Sequence, residues 1–305
     1  MRVLIAYDGS IYADAAIDDL RRAGLPKLAE VLVVSVAHRG WPEHPTNDQG
    51  QFDNSWKATI KEAEALAEHG RKLVTALFPE WCVTSEPLWG DAANTLLKVI
   101  GVWKPDLVVV GSHGRSAPAR LILGSVSSEL AHHAPCSVRI VRSVAKAEGP
   151  IRIIVATDGS AEGEAAVDSV GRRSWPDGTK ARVLAVTQTL VPAAQAMAPA
   201  LEAQTFATDP AYSVIEAADE KERVRLGWMT QADVKQLQTA GLSAEAIIVD
   251  GDPRREINAE AERWHADCVF VGARGLGAFD RLLLGSVSGA VVSHAHCAVE
   301  IVRRQ

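Results

Sequence analysis

The 305-residue sequence is poor in the features that mark exported, membrane-spanning or nucleic-acid-binding chains. Its four cysteines, Cys82, Cys136, Cys268 and Cys297, lie far apart, with no Cys-x-x-Cys pair and no Asn-x-Ser/Thr sequon, so a disulfide framework has no support. No run approaches the ~18 apolar residues of a membrane-spanning helix, and the apolar stretch after Met1 is too short for a signal core. Basic residues are outnumbered 38 to 32, a formal charge of −6, whereas a general nucleic-acid binder needs a basic surface to displace counterions. No Gly-x-Gly-x-x-Gly follows the first apolar run, and no Lys-Ser/Thr pair follows a glycine-rich loop. The usual dinucleotide fingerprint and the P-loop are therefore both missing. These absences lead to the expectation of a cytoplasmic protein with reduced thiols and no membrane or nucleic-acid partner.

What remains is ample for folding: 47% hydrophobic and 23% charged residues, over a length that suits two domains of ~100–150 residues better than one. The chain also repeats itself. Met1–Ser10 (MRVLIAYDGS) returns as Ile151–Ser160 (IRIIVATDGS), an offset of 150. Arg120–Ser127 (RLILGSVS) returns as Arg281–Ser288 (RLLLGSVS) and Cys136–Arg142 (CSVRIVR) as Cys297–Arg303 (CAVEIVR), both at an offset of 161. The second copy thus carries 11 extra residues, expected in the Pro- and Ala-rich stretch from Gln188 to Pro210. Arg39–Asn54 is an irregular insert of the first copy. The boundary is expected near Ser143–Pro150, giving domains 1–146 and 147–305.

Within each copy two periodicities alternate. Val31–Val36, Leu107–Val110, Ile153–Ala156 and Val183–Val186 are short β-branched runs that predict buried strands. Ala13–Ala23, Ser55–Leu77, Ala92–Trp103 and Val126–His133 are amphipathic at helical length. About five such alternations per copy require mostly parallel strands joined by right-handed helical crossovers. The expected fold is α/β: two tandem doubly wound, Rossmann-like parallel five-stranded sheets with helices on both faces. Ser137–Val141 and Ala298–Val302, apolar and last in each copy, suit pairing between domains or between chains.

Ligands of such sheets sit beyond the carboxyl ends of the strands, where strand order reverses. Two segments of each copy fall there. Asp8-Gly9-Ser10 and Asp158-Gly159-Ser160 end the first strand with a carboxylate. The same triplets could serve structure alone, as a tight turn and a helix N-cap. Gly111-Ser-His-Gly114, then Gly124-Ser125 after nine residues, recurs as Gly272-Ala-Arg-Gly275 and Gly285-Ser286. Glycines there allow close backbone approach to a phosphate, and Ser125, Val126 and Ser127 would offer N–H groups at a helix N-terminus. A turn followed by a helix cap is the plainer alternative.

Asp at the end of strand one, Gly-x2-Gly-x9-Gly-Ser, and the Val-Ser that follows resemble the ATP-binding branch of the universal stress protein family, over nearly the whole chain as two tandem domains. The resemblance implies an adenine nucleotide alpha hydrolase-like fold and an ATP site in each copy, with Mg2+ held largely by phosphates and water. It makes Asp8 and Asp158 contacts to the adenosine end, and Val36 and Val186 backbone contacts to adenine. Gly111, Gly114, Gly124, Ser125, Val126 and Ser127 would surround the first ribose and phosphates, and Gly272, Gly275, Gly285, Ser286, Val287 and Ser288 the second. It further implies a nucleotide-dependent regulator of the stress response and association through the last strands.

The copies also differ. The first loop has His113 and Arg115 where the second has Arg274 and Leu276, so the phosphate-neutralising cation moves and the two sites can differ in affinity. His113 near Ser125 could act as a general acid or base in slow ATP hydrolysis or phosphotransfer, but Arg274 at the matching place speaks against it. A scaffold without a ligand, or a site for AMP or a cyclic nucleotide, stays open. His132-His133 and His294-x-His296-Cys297 point in divergent directions on helix ends, which suits the helix dipole better than a metal. Cys136 and Cys297 read as small buried residues, and the eight tryptophans as packing groups.

Overall fold

A computed structural model describes residues 1–37, 55–114, 123–142, 149–188, 210–275 and 284–304. The first half runs β1 (Arg2–Ala6), α1 (Ile11–Asp19), β2 (Glu30–Ala37), α2 (Ser55–Leu77), β3 (Cys82–Trp89), α3 (Ala92–Trp103), β4 (Leu107–Gly111), α4 (Ser125–His133) and β5 (Ser137–Val141). The second half repeats it as β6 (Arg152–Ala156), α5 (Ala161–Gly171), β7 (Lys180–Thr187), α6 (Pro210–Thr239), β8 (Ser243–Asp250), α7 (Pro253–Arg263), β9 (Cys268–Gly272), α8 (Ser286–His294) and β10 (Ala298–Val302). The expected boundary at 146/147 and the insert Arg39–Asn54 lie outside the described residues.

The strands form one sheet in the order β3-β2-β1-β4-β5-β10-β9-β6-β7-β8. Each half has the expected doubly wound parallel order, reversing between β1 and β4 or between β6 and β9. The two five-stranded sheets are joined, however, because β5 and β10 pair antiparallel with Arg139 opposite Glu300. Both last strands are thereby flanked on either side, β5 by β4 and β10 by β9. Of the two pairings expected for them, between domains or between chains, the first is the one made. The pairing lies within one chain, and because each strand is flanked on both sides, the expectation of chains associating through a free edge of these strands is corrected.

Alternation along the strands divides the core. Val3, Ile5, Val31 and Val33 face a layer holding α1, α2, α5 and α6, while Leu4, Leu32 and Val34 face one holding α3, α4, α7 and α8. Among the described residues no helix is long and apolar enough to cross a membrane. Helix α1 starts at Ile11, earlier than the apolar periodicity indicates, because Ser10 caps it by accepting from the Ala13 N–H at 3.1 Å. It gives way to a 3₁₀ turn at Leu20–Arg22. The extra length of the second copy is not all loop: α6 has 30 residues against 23 in α2.

Candidate functional site

The carboxyl ends of β1 and β4 diverge at the switch point and leave a cavity of about 630 Å³, within the range of small-molecule sites. Asp8, Val36, Gly111, Gly114, Gly124, Ser125, Val126 and Ser127 all line it, so the expected first-copy residues come together. Arg115 lies outside the described residues.

The site is built by turn and cap chemistry. Gly9 takes φ +73°, open to glycine, while Asp8 Oδ1 accepts the Ser10 N–H at 3.0 Å. The structural reading of the Asp-Gly-Ser triplet therefore holds, and Asp8 lines the cavity as well. A Cβ on Gly114 would stand 2.9 Å from Asp8 Oδ2, so glycine there is what lets the loop lie against the carboxylate. Gly111 has a different reason: its Cβ would fall 2.7 Å from the Tyr12 backbone, so it is glycine to admit α1 against β4. Ser127 also departs from expectation. Its buried hydroxyl donates to the Gly111 carbonyl at 2.7 Å and ties α4 to β4, leaving its backbone N–H as the group that can serve a ligand.

Helices α1, α3, α5 and α7 carry a side-chain N-cap from Ser10, Asp91, Ser160 and Asp252. Helices α4 and α8 begin on Gly124 and Gly285 and have none. The first N–H groups of α4 thus open into the cavity beside exposed Ser125, an arrangement that favours an anion. His113, 8% exposed, sits with its ring centroid 5.1 Å from that of Tyr12 and Nδ1 3.0 Å from Ser112 Oγ. Tyr7 also lines the cavity and donates to Asp14 Oδ1 at 2.6 Å; burial, then that carboxylate, raise its pKa above the usual phenol value.

Sequence reasoning did not find the wall made by α2. Thr59, Glu62, Ala63 and Leu66 line the cavity, as does Asp91 at the start of α3. The available signal was the spacing of Thr59, Glu62, Ala63 and Leu66, which puts them on one helical face. The universal stress protein family model matches residues 1–142 and 151–303. The chain belongs to the universal stress protein family.

Among its relatives is a universal stress protein of Mycobacterium tuberculosis H37Rv, 27% identical over 327 aligned positions that cover 99% of this chain and 97% of that one. Among solved structures, a universal stress protein from Archaeoglobus fulgidus shares the fold at TM-score 0.65, with 19% identity over 100% of this chain and 98% of that one. A universal stress protein family member from Arabidopsis thaliana, solved with AMP bound, matches 47% of this chain and 92% of its own at 17% identity and TM-score 0.33.

In this tandem universal stress protein the second copy has kept the glycines and changed what surrounds them. Gly275 and Gly272 have the same reasons as their counterparts, Asp158 Oδ2 at 2.5 Å and the Glu162 backbone at 2.7 Å from the would-be Cβ. Ser288 likewise donates to the Gly272 carbonyl at 2.6 Å. Asp158 Oδ1 accepts the Ser160 N–H at 2.9 Å, Val186 is half-buried, and Gly285, Ser286 and Val287 start α8. Where the first copy sets the Tyr12 ring at a tilt against His113, however, the second pairs Glu162 with Arg274.

Met229 packs on Gly159 as Leu66 packs on Gly9, which sets α6 against α2 and puts Leu226 in the place of Ala63 and Arg225 in that of Glu62. Arg225 donates to the Asp158 carbonyl at 3.2 Å. Arg223 joins Asp250 at 2.7 Å across the ends of β7 and β8, where Thr187 also donates to Asp250. The second site is thus crowded by its own larger and charged side chains.

The histidines at the helix ends bond backward along their own helices, His132 Nδ1 with Ser128 O at 2.8 Å and His294 Nδ1 with Ala290 O at 2.9 Å. Among the described residues no group of three His, Cys, Asp or Glu side chains is placed to hold a metal. Burial pushes the Cys136 and Cys297 thiols up to about 12, which keeps them protonated and inert.

Proposed function

We propose that the first-half cavity binds an adenine nucleotide, ATP foremost, and that the protein is a cytoplasmic, nucleotide-dependent regulator in the stress response built from domains 1–146 and 147–305. The observation that carries this reading is the N-terminus of α4, without a side-chain cap, opening into a cavity at the β1/β4 switch point. The N–H groups of Ser125, Val126 and Ser127 suit phosphate oxygens. Asp8, across the cavity, suits ribose hydroxyls, and the end of β2 at Val36 suits the adenine edge. Mg2+ would ride on the phosphates and water rather than on a protein cage. Bound nucleotide stabilises the form that holds it, and a partner reads that form.

The second site, with Gly272, Gly275, Gly285, Ser286, Val287 and Ser288, is the weaker of the two because Arg274 must leave Glu162 before a ligand enters. Calorimetric titration of ATP, AMP and cyclic AMP, with and without Mg2+, tests the reading. One strong site per chain that Asp8→Ala abolishes and Asp158→Ala leaves intact is the expected result. Absence of any saturable nucleotide uptake refutes it and leaves a protein-interaction scaffold. Phosphate release measured on the same samples separates binding from hydrolysis.

A further inference from the structure

The junction between the halves is symmetric in backbone and antisymmetric in charge. Residues 138, 139 and 140 of β5 correspond in the repeat to 299, 300 and 301 of β10. They pair Val138 with Ile301, Arg139 with Glu300 and Ile140 with Val299. The local twofold axis therefore passes through the Arg139–Glu300 pair, where a residue of each half faces its own counterpart across the paired strands. Beside it the junction is reciprocal: Arg142 of the first half donates to Ser293 O at 2.9 Å, at the end of α8, and Arg303 of the second donates to Ala131 O at 2.7 Å, at the end of α4. On the axis, reciprocity fails. One copy has a guanidinium and the other a carboxylate.

The surroundings reinforce the difference. Arg139 Nε donates to Asp19 Oδ2 at 2.6 Å and its Nη1 to Glu300 Oε2 at 3.1 Å, with the three side chains 1%, 5% and 0% exposed. Arg173 completes the row by pairing with Glu300 Oε1. In the repeat, Asp19 corresponds to Ser169 and Arg173 to Ala23, so neither flank is duplicated. The row Asp19–Arg139–Glu300–Arg173 alternates in sign across the junction. Burial works against the charge on Arg139, but Asp19, Cys268 and Glu300 more than offset it and hold its pKa well above the usual guanidinium value.

We infer that the Arg139–Glu300 pair is a pairing code: the junction face of each half accepts only the unlike half and rejects a second copy of itself. A first half meeting a first half across the same axis would set two guanidinium groups directly opposite each other, each keeping its own Asp19 but without the Glu300 carboxylate between them. A second half meeting a second half would set two carboxylates opposite each other, each keeping its own Arg173 but without the Arg139 guanidinium between them. Like charges opposite each other on paired strands are unfavourable, and burial removes the water that would screen them. The apolar neighbours Val138, Ile140, Val299 and Ile301 fit either way, so the discrimination falls on the axial pair.

The test uses two full-length chains, Glu300→Arg and Arg139→Glu, each of which puts like charges on its own axis. Alone, each is expected to lose the closed 32.6 kDa monomer and to show a thermal midpoint lowered by ten degrees or more. Mixed or co-expressed, they can exchange halves. The first chain's unaltered Arg139 then meets the second chain's unaltered Glu300, and a 1:1 complex of twice the monomer mass is expected by light scattering. Should either chain aggregate alone, soluble complex on co-expression still supports the code. Closed monomers with wild-type midpoints, or failure of the co-expressed pair to form a soluble 1:1 complex, would overturn it.

Discussion

Gly111 and Gly114 stand three residues apart and serve different ends. A methyl group on Gly111 would run into backbone, the Tyr12 carbonyl carbon at 2.7 Å, which can yield only by shifting α1. Overpacking of that kind costs about 1–3 kcal/mol, so Gly111→Ala is expected to lower the thermal midpoint by roughly 2–10 °C. A methyl group on exposed Gly114 meets the Asp8 carboxylate, a side chain that can turn away. Gly114→Ala should therefore keep the wild-type midpoint to within a degree or two and lose about tenfold in nucleotide affinity, roughly 1.4 kcal/mol, because Asp8 is displaced. Scanning calorimetry and titration on the two variants check the pair of outcomes. A Gly114→Ala protein that binds normally would remove Asp8 from the site. The repeat showed both glycines to be special, yet in sequence they look alike, since what separates them is the neighbour each one meets.

Helix α6 meets α5 through acidic groups. Asp233 on α6 faces Glu164 and Asp168 of α5, and Gln236 donates to Asp168 Oδ1 at 2.7 Å. Burial first, then those two carboxylates, raise the Asp233 pKa to about 6. The folded protein therefore holds a proton that the unfolded chain, with a carboxyl near 3.9, has already released. That favours folding at low pH, and the advantage is lost as pH rises from about 4 through 6. Asp233→Asn should raise the thermal midpoint at pH 7.5 and give no gain at pH 4.5; an equal shift at both would exclude this linkage. The periodicity of the sequence located α2 to the residue and both last strands. The edge strands β3 and β8 escaped it, because one face of each is open and Pro87 interrupts β3, so neither reads as a buried apolar run. The α2 wall of the cavity escaped for a related reason: Thr59 and Glu62 are polar residues on a solvated helix, and only packing brings them to the site.

Joining two five-stranded sheets into one makes each half part of the other's structure. Arg142 follows β5 in the first half, yet its guanidinium accounts for carbonyls at the end of α8 in the second, Val292 O and Ser293 O. The repeat pointed to two like units, and the sequences CSVRIVR and CAVEIVR already held the Arg139/Glu300 difference. Its meaning depends on the twofold axis, which no single copy defines. Coupling across that axis has a measurable form. Replacing Arg142 by alanine leaves the last carbonyls of α8 without their charged donor, a loss of about 1.5–3 kcal/mol for hydrogen bonds of this kind. Local opening of the last turn of α8 should become about 10- to 100-fold more frequent, and amide exchange there should speed up accordingly. The substituted residue lies in the other half, so α4, capped by Arg303, is the internal control and should exchange at the wild-type rate. Arg303→Ala should give the mirror result, fast exchange at the end of α4 and none of it in α8. Uniform acceleration in both helices would instead mean that the halves separate as whole bodies before either helix end frays.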